Sequence, residues 1–99
     1  MGNYDGTSNG EAEVPILPSP EFPVLVIGFI VGNPNGSSVT GTLYFRSQNA
    51  SRAITNFTVT ANSSWTYFVE DMPLMPGQSW TVKLSSKPTT ELTLLGGWK

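Results

Sequence analysis

The chain contains neither cysteine nor histidine, and charged residues make up only 12% of its 99 positions. Without cysteine no disulfide staples the fold, and the redox compartment stays open. Without histidine or cysteine the usual acid–base and nucleophile sets of enzymes are missing. The carboxylates are Asp5, Glu11, Glu13, Glu21, Glu70, Asp71 and Glu91, and only Glu70 and Asp71 are adjacent. Neighbours on a strand point to opposite faces. A calcium site at that pair would need several more oxygen ligands than the sequence supplies nearby. The chain therefore reads as non-enzymatic, with no cofactor and no metal.

Basic residues are equally sparse. Arg46, Arg52, Lys83, Lys87 and Lys99 form no run, and the net charge is −2. The electrostatic footprint of nucleic-acid binding is missing. The longest apolar stretch, "FPVLVIGFIVG", is about half the ~20 residues a membrane-spanning helix needs. The opening residues, "MGNYDGTSNGEAEV", are acidic and polar, unlike a secretory signal. Neither nucleic acid nor membrane is expected as a partner.

What fills the sequence is Asn, Ser, Thr and alternating apolar residues. "SVTGTLYFR" sets Val39, Gly41, Leu43 and Phe45 on one side and Thr40, Thr42, Tyr44 and Arg46 on the other. "TNFTVTA", "WTYFVE", "SWTVKLSS" and "ELTLL" alternate likewise. Period-two alternation over short segments predicts half-buried strands. Turn signals separate them, among them "GNPNGSS", "SQNAS", "ANSS" and "MPGQ". Pro76-Gly77 fits the centre of a type II turn. Residues 24–99 are predicted to form an antiparallel immunoglobulin-like β-sandwich of six to seven strands, the seventh being "EVPIL" ahead of them if it pairs at an edge; a small closed barrel is the alternative. Residues 1–23 carry prolines at 15, 18, 20 and 23. They are predicted to form an extended, Pro-rich N-terminal arm, since proline fixes φ and lacks a donor.

Residues 24–31 are apolar on both parities. If Val24, Val26 and Ile30 fill the core, then Leu25, Ile27, Phe29 and Val31 face outward. Leaving four such side chains in water forgoes about 6–12 kcal/mol. Such a patch marks an interface. Three covers are open: the arm through Val14, Ile16 and Leu17, a second copy, or another protein. Trp98 is expected to anchor a partner, because tryptophan is enriched at binding hot spots. The candidate partner-binding residues are therefore Val14, Ile16, Leu17, Leu25, Ile27, Phe29 and Trp98. Trp65, Tyr67 and Trp80 share parity with Val69, Val82 and Leu84 and are expected in the core, with Tyr44 and Phe68 on the opposite parity.

A cysteine-free, weakly charged chain rich in Asn, Ser and Thr, with strands behind an N-terminal arm, resembles the small β-sandwich decoration, or capsid cement, proteins of tailed bacteriophages. The resemblance covers the whole chain in texture and includes no diagnostic motif. It implies a structural protein of the virion, often a homo-oligomer and in some cases a trimer, that holds neighbouring capsid subunits. A local similarity points elsewhere. "NASRAITNFTV" is similar to a strand–turn–strand segment of clathrin-adaptor ear domains, which implies peptide binding near Arg46 or Arg52. A carbohydrate-binding module, using Tyr44, Trp65, Tyr67 or Trp80, is the related alternative. Either alternative would place the protein in an extracellular or cytoplasmic setting.

Overall fold

Every alternating segment becomes a strand in the computed structural model, which describes residues 2–99. Eight strands follow in order: β1 (Gly2–Ser8), β2 (Val14–Leu17), β3 (Val24–Asn33), β4 (Val39–Ser47), β5 (Ala50–Val59), β6 (Ser63–Leu74), β7 (Gln78–Leu84) and β8 (Leu92–Trp98). They form two antiparallel four-stranded sheets. The front sheet has the order β1-β8-β3-β6 and the back sheet β2-β7-β4-β5.

The inward rows of the two sheets share one core. Val26, Phe29 and Val31 of β3 and Leu92 and Leu94 of β8 meet Leu43, Phe57, Val59, Trp80, Val82 and Leu84 of the back sheet. The Phe29 ring lies 5.1 Å from the Trp80 ring, and Phe57 stacks on Trp65 at 4.7 Å. These aromatic contacts between sheets add to the area they bury. Trp80 is fully buried, as its register with Val82 and Leu84 predicts.

The strand order differs from the expected immunoglobulin-like one. In an immunoglobulin domain the first two strands are hydrogen-bonded neighbours in one sheet. Here β1 and β2 lie at the edges of different sheets, and the chain changes sheet at every connection except the β4–β5 hairpin. Eight strands wound this way are a jelly roll.

The expected arm is also corrected. Its first residue lies outside the described residues, but β1 pairs along its whole length with β8, from Gly2 opposite Trp98 to Ser8 opposite Leu92. β2 pairs with β7, and Ile16 and Leu17 are buried. The segment is extended because it is two edge strands of the jelly roll. Gly96 makes the second of these possible: a Cβ there would strike the Ile16 carbonyl oxygen, so only glycine lets β2 cross so close to β8.

A third correction concerns parity in β3. The ladders to β6 and β8 both shift register between Val26 and Gly28. Ile27 is the extra residue of a β-bulge, which reverses the facing of everything after it. Phe29 and Val31 turn into the core, and Ile30 turns out. On β6 the same level holds Glu70 and Asp71, at φ values of 43° and 59°.

The turns follow their sequence signals. Met75 and Gln78 close a turn by a 3.0 Å backbone bond, with Gly77 at φ 91°, as a type II turn requires. At the opposite end Asn33 donates to the carbonyls of Ser37 and Val59, and Asn35 exchanges side-chain bonds with the Thr90 backbone. This buried amide pair ties the β3–β4, β5–β6 and β7–β8 connections together.

Candidate docking surface

The outward rows of the front sheet can be read from its ladders. Across β1, β8, β3 and β6 they run Thr7–Thr93–Gly32–Ser64, then Asp5–Leu95–Ile30–Thr66, then Asn3–Gly97–Gly28–Phe68. Asp5 is the only charged side chain in these three rows. Ile30 is 39% exposed and Phe68 70%. Leu25, at the far end of β3, is 39% exposed, and Ile27 is half-buried. Large apolar groups left so open forgo about 1–2 kcal/mol each.

The face has relief. Gly28 and Gly97 have no side chains and leave a pit of about 180 Å³, walled by Ile27, Ile30, Phe68 and Leu95. The paired Ile30 and Leu95 form a ridge beside it. Beyond the ridge a broad, open hollow is lined by Asp5, Gly6, Thr7 and Thr93. At the β6 end, Lys99 Nζ lies 3.0 Å from Asp71 Oδ1, both half-exposed.

Of the seven residues expected to bind a partner, two stand on this surface: Leu25 and Ile27. Ile16, Leu17 and Phe29 are core, with exposures of 0%, 3% and 1%. Val14 is half-buried against the same core. Trp98 anchors into its own chain: its indole covers Gly2, and it lines a cavity of about 120 Å³ with Tyr4, Leu17, Pro20, Val24 and Leu74. Ile30, Leu95, Gly28 and Gly97 were missed. The Ile27 bulge hid Ile30, and the glycines carry no apolar signal. Phe68 was visible from its parity, opposite Trp65 and Tyr67.

The outer face of the back sheet is of a different chemistry. Glu13 reaches onto it from the β1–β2 connection. Its carboxylate accepts from Thr81 Oγ1 at 2.6 Å, from Ser51 Oγ at 2.7 Å and from Arg46 Nη1 at 3.5 Å. Burial pushes this carboxyl upward, but the hydrogen bonds from Thr81 and Ser51 and the charges of Arg46 and Lys83 outweigh it. The result lies below the ordinary 4.5. Thr42 donates to Asn56 Oδ1 at 2.9 Å farther along. Hydroxyls, amides and charges dominate here.

The aromatic residues considered for sugar stacking lie largely elsewhere. Trp80 is 1% exposed. Trp65 and Tyr67 stack on each other at 5.5 Å on the inward row of β6. Tyr44 alone stands half-buried on the outer face of the back sheet.

Taken together, these features define an eight-stranded jelly roll with an apolar patch on one outer face and a polar, charged opposite face. No family model matches the chain, and no curated protein matches it. Among solved structures, the crystal structure of PirA is similar, with a TM-score of 0.58 and 12% identity over 98% of this chain and 93% of that one. At that identity the likeness establishes a shared fold and nothing further.

Proposed function

We propose that the protein is a non-enzymatic interaction module, a structural part of a larger assembly, that docks a protein partner on the outer face of β8, β3 and β6. One observation carries this: on the outer face of the front sheet Ile27, Ile30, Phe68 and Leu95 crowd together around a pit with a glycine floor. Their near-freedom from charge favours an apolar protein surface over a nucleic acid or a charged peptide. Phe68 has the character of a binding anchor, being aromatic and open beside a pocket. The comparisons lend nothing to the capsid setting suggested by the sequence texture, and the proposal does not depend on it. It also needs no detachable arm, because that segment is core.

The test is site-specific photo-crosslinking in cells that make the protein. A benzophenone amino acid replaces Phe68 in one variant and Tyr44, on the opposite face, in another. Adducts from position 68 and none from position 44 are expected. Adducts from position 44 alone, or none from either, would overturn the assignment.

A further inference from the structure

We infer that Asn9 is a self-modification site: its side-chain amide is lost in forming a cyclic imide with Gly10, and water opens the imide to aspartate and isoaspartate. The sequence holds two Asn-Gly pairs, Asn9-Gly10 and Asn35-Gly36, and one Asp-Gly pair, Asp5-Gly6. All three can follow this chemistry, because glycine has no Cβ to shield its backbone nitrogen. The fold treats them differently, and that difference selects Asn9.

Asn35 is clamped. It is 7% exposed, its Nδ2 donates to Asn33 Oδ1 and to the Thr90 carbonyl, both at 2.9 Å, and its Oδ1 accepts from the Thr90 N–H at 2.7 Å. The amide cannot swing its Cγ onto the Gly36 nitrogen without breaking these bonds. A carboxylate made there would also be buried with an oxygen facing two acceptors, an unpaired buried charge. Asp5-Gly6 is held by its strand. Asp5 stands opposite Leu95 and Gly6 opposite Leu94. The Asp5 side chain projects from the sheet face while the Gly6 nitrogen lies in the plane of the sheet, so ring closure needs the strand to open.

Asn9 has neither restraint. It is exposed, directly after β1, and the connection from Asn9 to Glu13 has no ladder partner. Beyond its chain neighbours, no heavy atom lies within 4 Å of where a Cβ on Gly10 would stand. The side chain and the Gly10 nitrogen are free to meet. The Gly10 nitrogen gives up its proton and bonds to Asn9 Cγ; the Cγ–Nδ2 bond breaks, and Nδ2 leaves with that proton as ammonia. Water then adds to one of the two imide carbonyls. Opening at Cγ leaves aspartate. Opening at the main-chain carbonyl leaves isoaspartate, with the main chain routed through the side chain. Nothing is oxidised or reduced. Either product adds a negative charge to a connection that already carries Glu11 and Glu13. Isoaspartate also lengthens the tether between β1 and the Glu13 anchor on the back sheet. The mark needs no enzyme and accumulates with the age of the molecule.

Peptide mapping by mass spectrometry tests this on the full chain, held folded at mildly alkaline pH for increasing times. Asn9 is expected to convert at least about 10-fold faster than Asn35, which reacts only from a locally opened state. In urea that unfolds the chain, the two are expected to convert at similar rates, since glycine follows both. Gly10→Ala is expected to slow conversion of Asn9 by about 10-fold while leaving the fold intact, since the added methyl meets nothing. Asn35 converting as fast as Asn9 in the folded chain would overturn the inference. So would an Asn9 that stays intact, or a preference for Asn9 that survives unchanged in urea.

Discussion

Glu13 joins three pieces of the chain at one carboxylate. It receives hydroxyls from β5 and β7 and a guanidinium from β4, and so fixes the β1–β2 connection to the back sheet. Its folded pKa lies below the ordinary 4.5, so its contribution is fully present above the unfolded value and is lost as pH falls through the folded one. Glu13→Gln is expected to destabilise near about pH 6, with the difference from wild type shrinking toward about pH 3. Urea midpoints at the two pH values check this; an unchanged difference would mean the charge is irrelevant. Glu70 is a second residue-scale case. It holds φ at 43°, in the left-handed region that ordinary side chains avoid. Glu70→Gly is expected to raise stability by about 1 kcal/mol, since the relieved strain exceeds the entropy glycine adds. A lower melting temperature in that variant would show that the Glu70 side chain contributes more than its backbone costs.

At the scale of elements, most strands were legible from alternation, because each has one dry and one wet face. The type II turn was legible because only glycine suits its third position. Two elements were not. β1 hides because its inward positions are Gly2, Tyr4, Gly6 and Ser8, with three small residues. Gly2 is small because the Trp98 indole covers it, and Gly6 because the Tyr4 ring lies against it. No apolar stripe is left for periodicity to find. The Ile27 bulge hides because the inserted residue is as apolar as its neighbours, so both facings of β3 satisfy the sequence until the ladder is seen. This misplaced Phe29 and Ile30 together. The apparent arm has another origin: the prolines at 15, 18, 20 and 23 and the polar residues before them read as extended chain, and extended chain is also what two edge strands are. Ile16→Ala is expected to cost about 2–5 kcal/mol, the range for truncating a fully buried aliphatic side chain. Deleting residues 2–17 is expected to abolish the cooperative unfolding transition, because it strips one strand from each sheet. A truncated chain that melts like the full one would restore the detachable arm.

The whole molecule is two faces of unlike chemistry on one core. Two of its four sheet edges are guarded: β2 is short and contains Pro15, and β6 is broken by the bulge at Glu70 and Asp71. Such edges do not invite strand addition. β1 and β5 form the other two edges, and beside them the front face is the broadest route to association; low overall charge raises no general barrier to it. The face was only partly legible in advance. Leu25, Ile27 and Phe68 could be read from the chain, whereas its glycine pit exists only once β3 and β8 lie side by side. The most direct test extends the photo-crosslinking in cells to a scan of both outer faces, at positions 30, 66 and 68 on the front and at positions 42, 44 and 83 on the back. Protein adducts confined to the front-face positions are the expected result. Adducts confined to the back-face positions, or none from either face, would contradict the account.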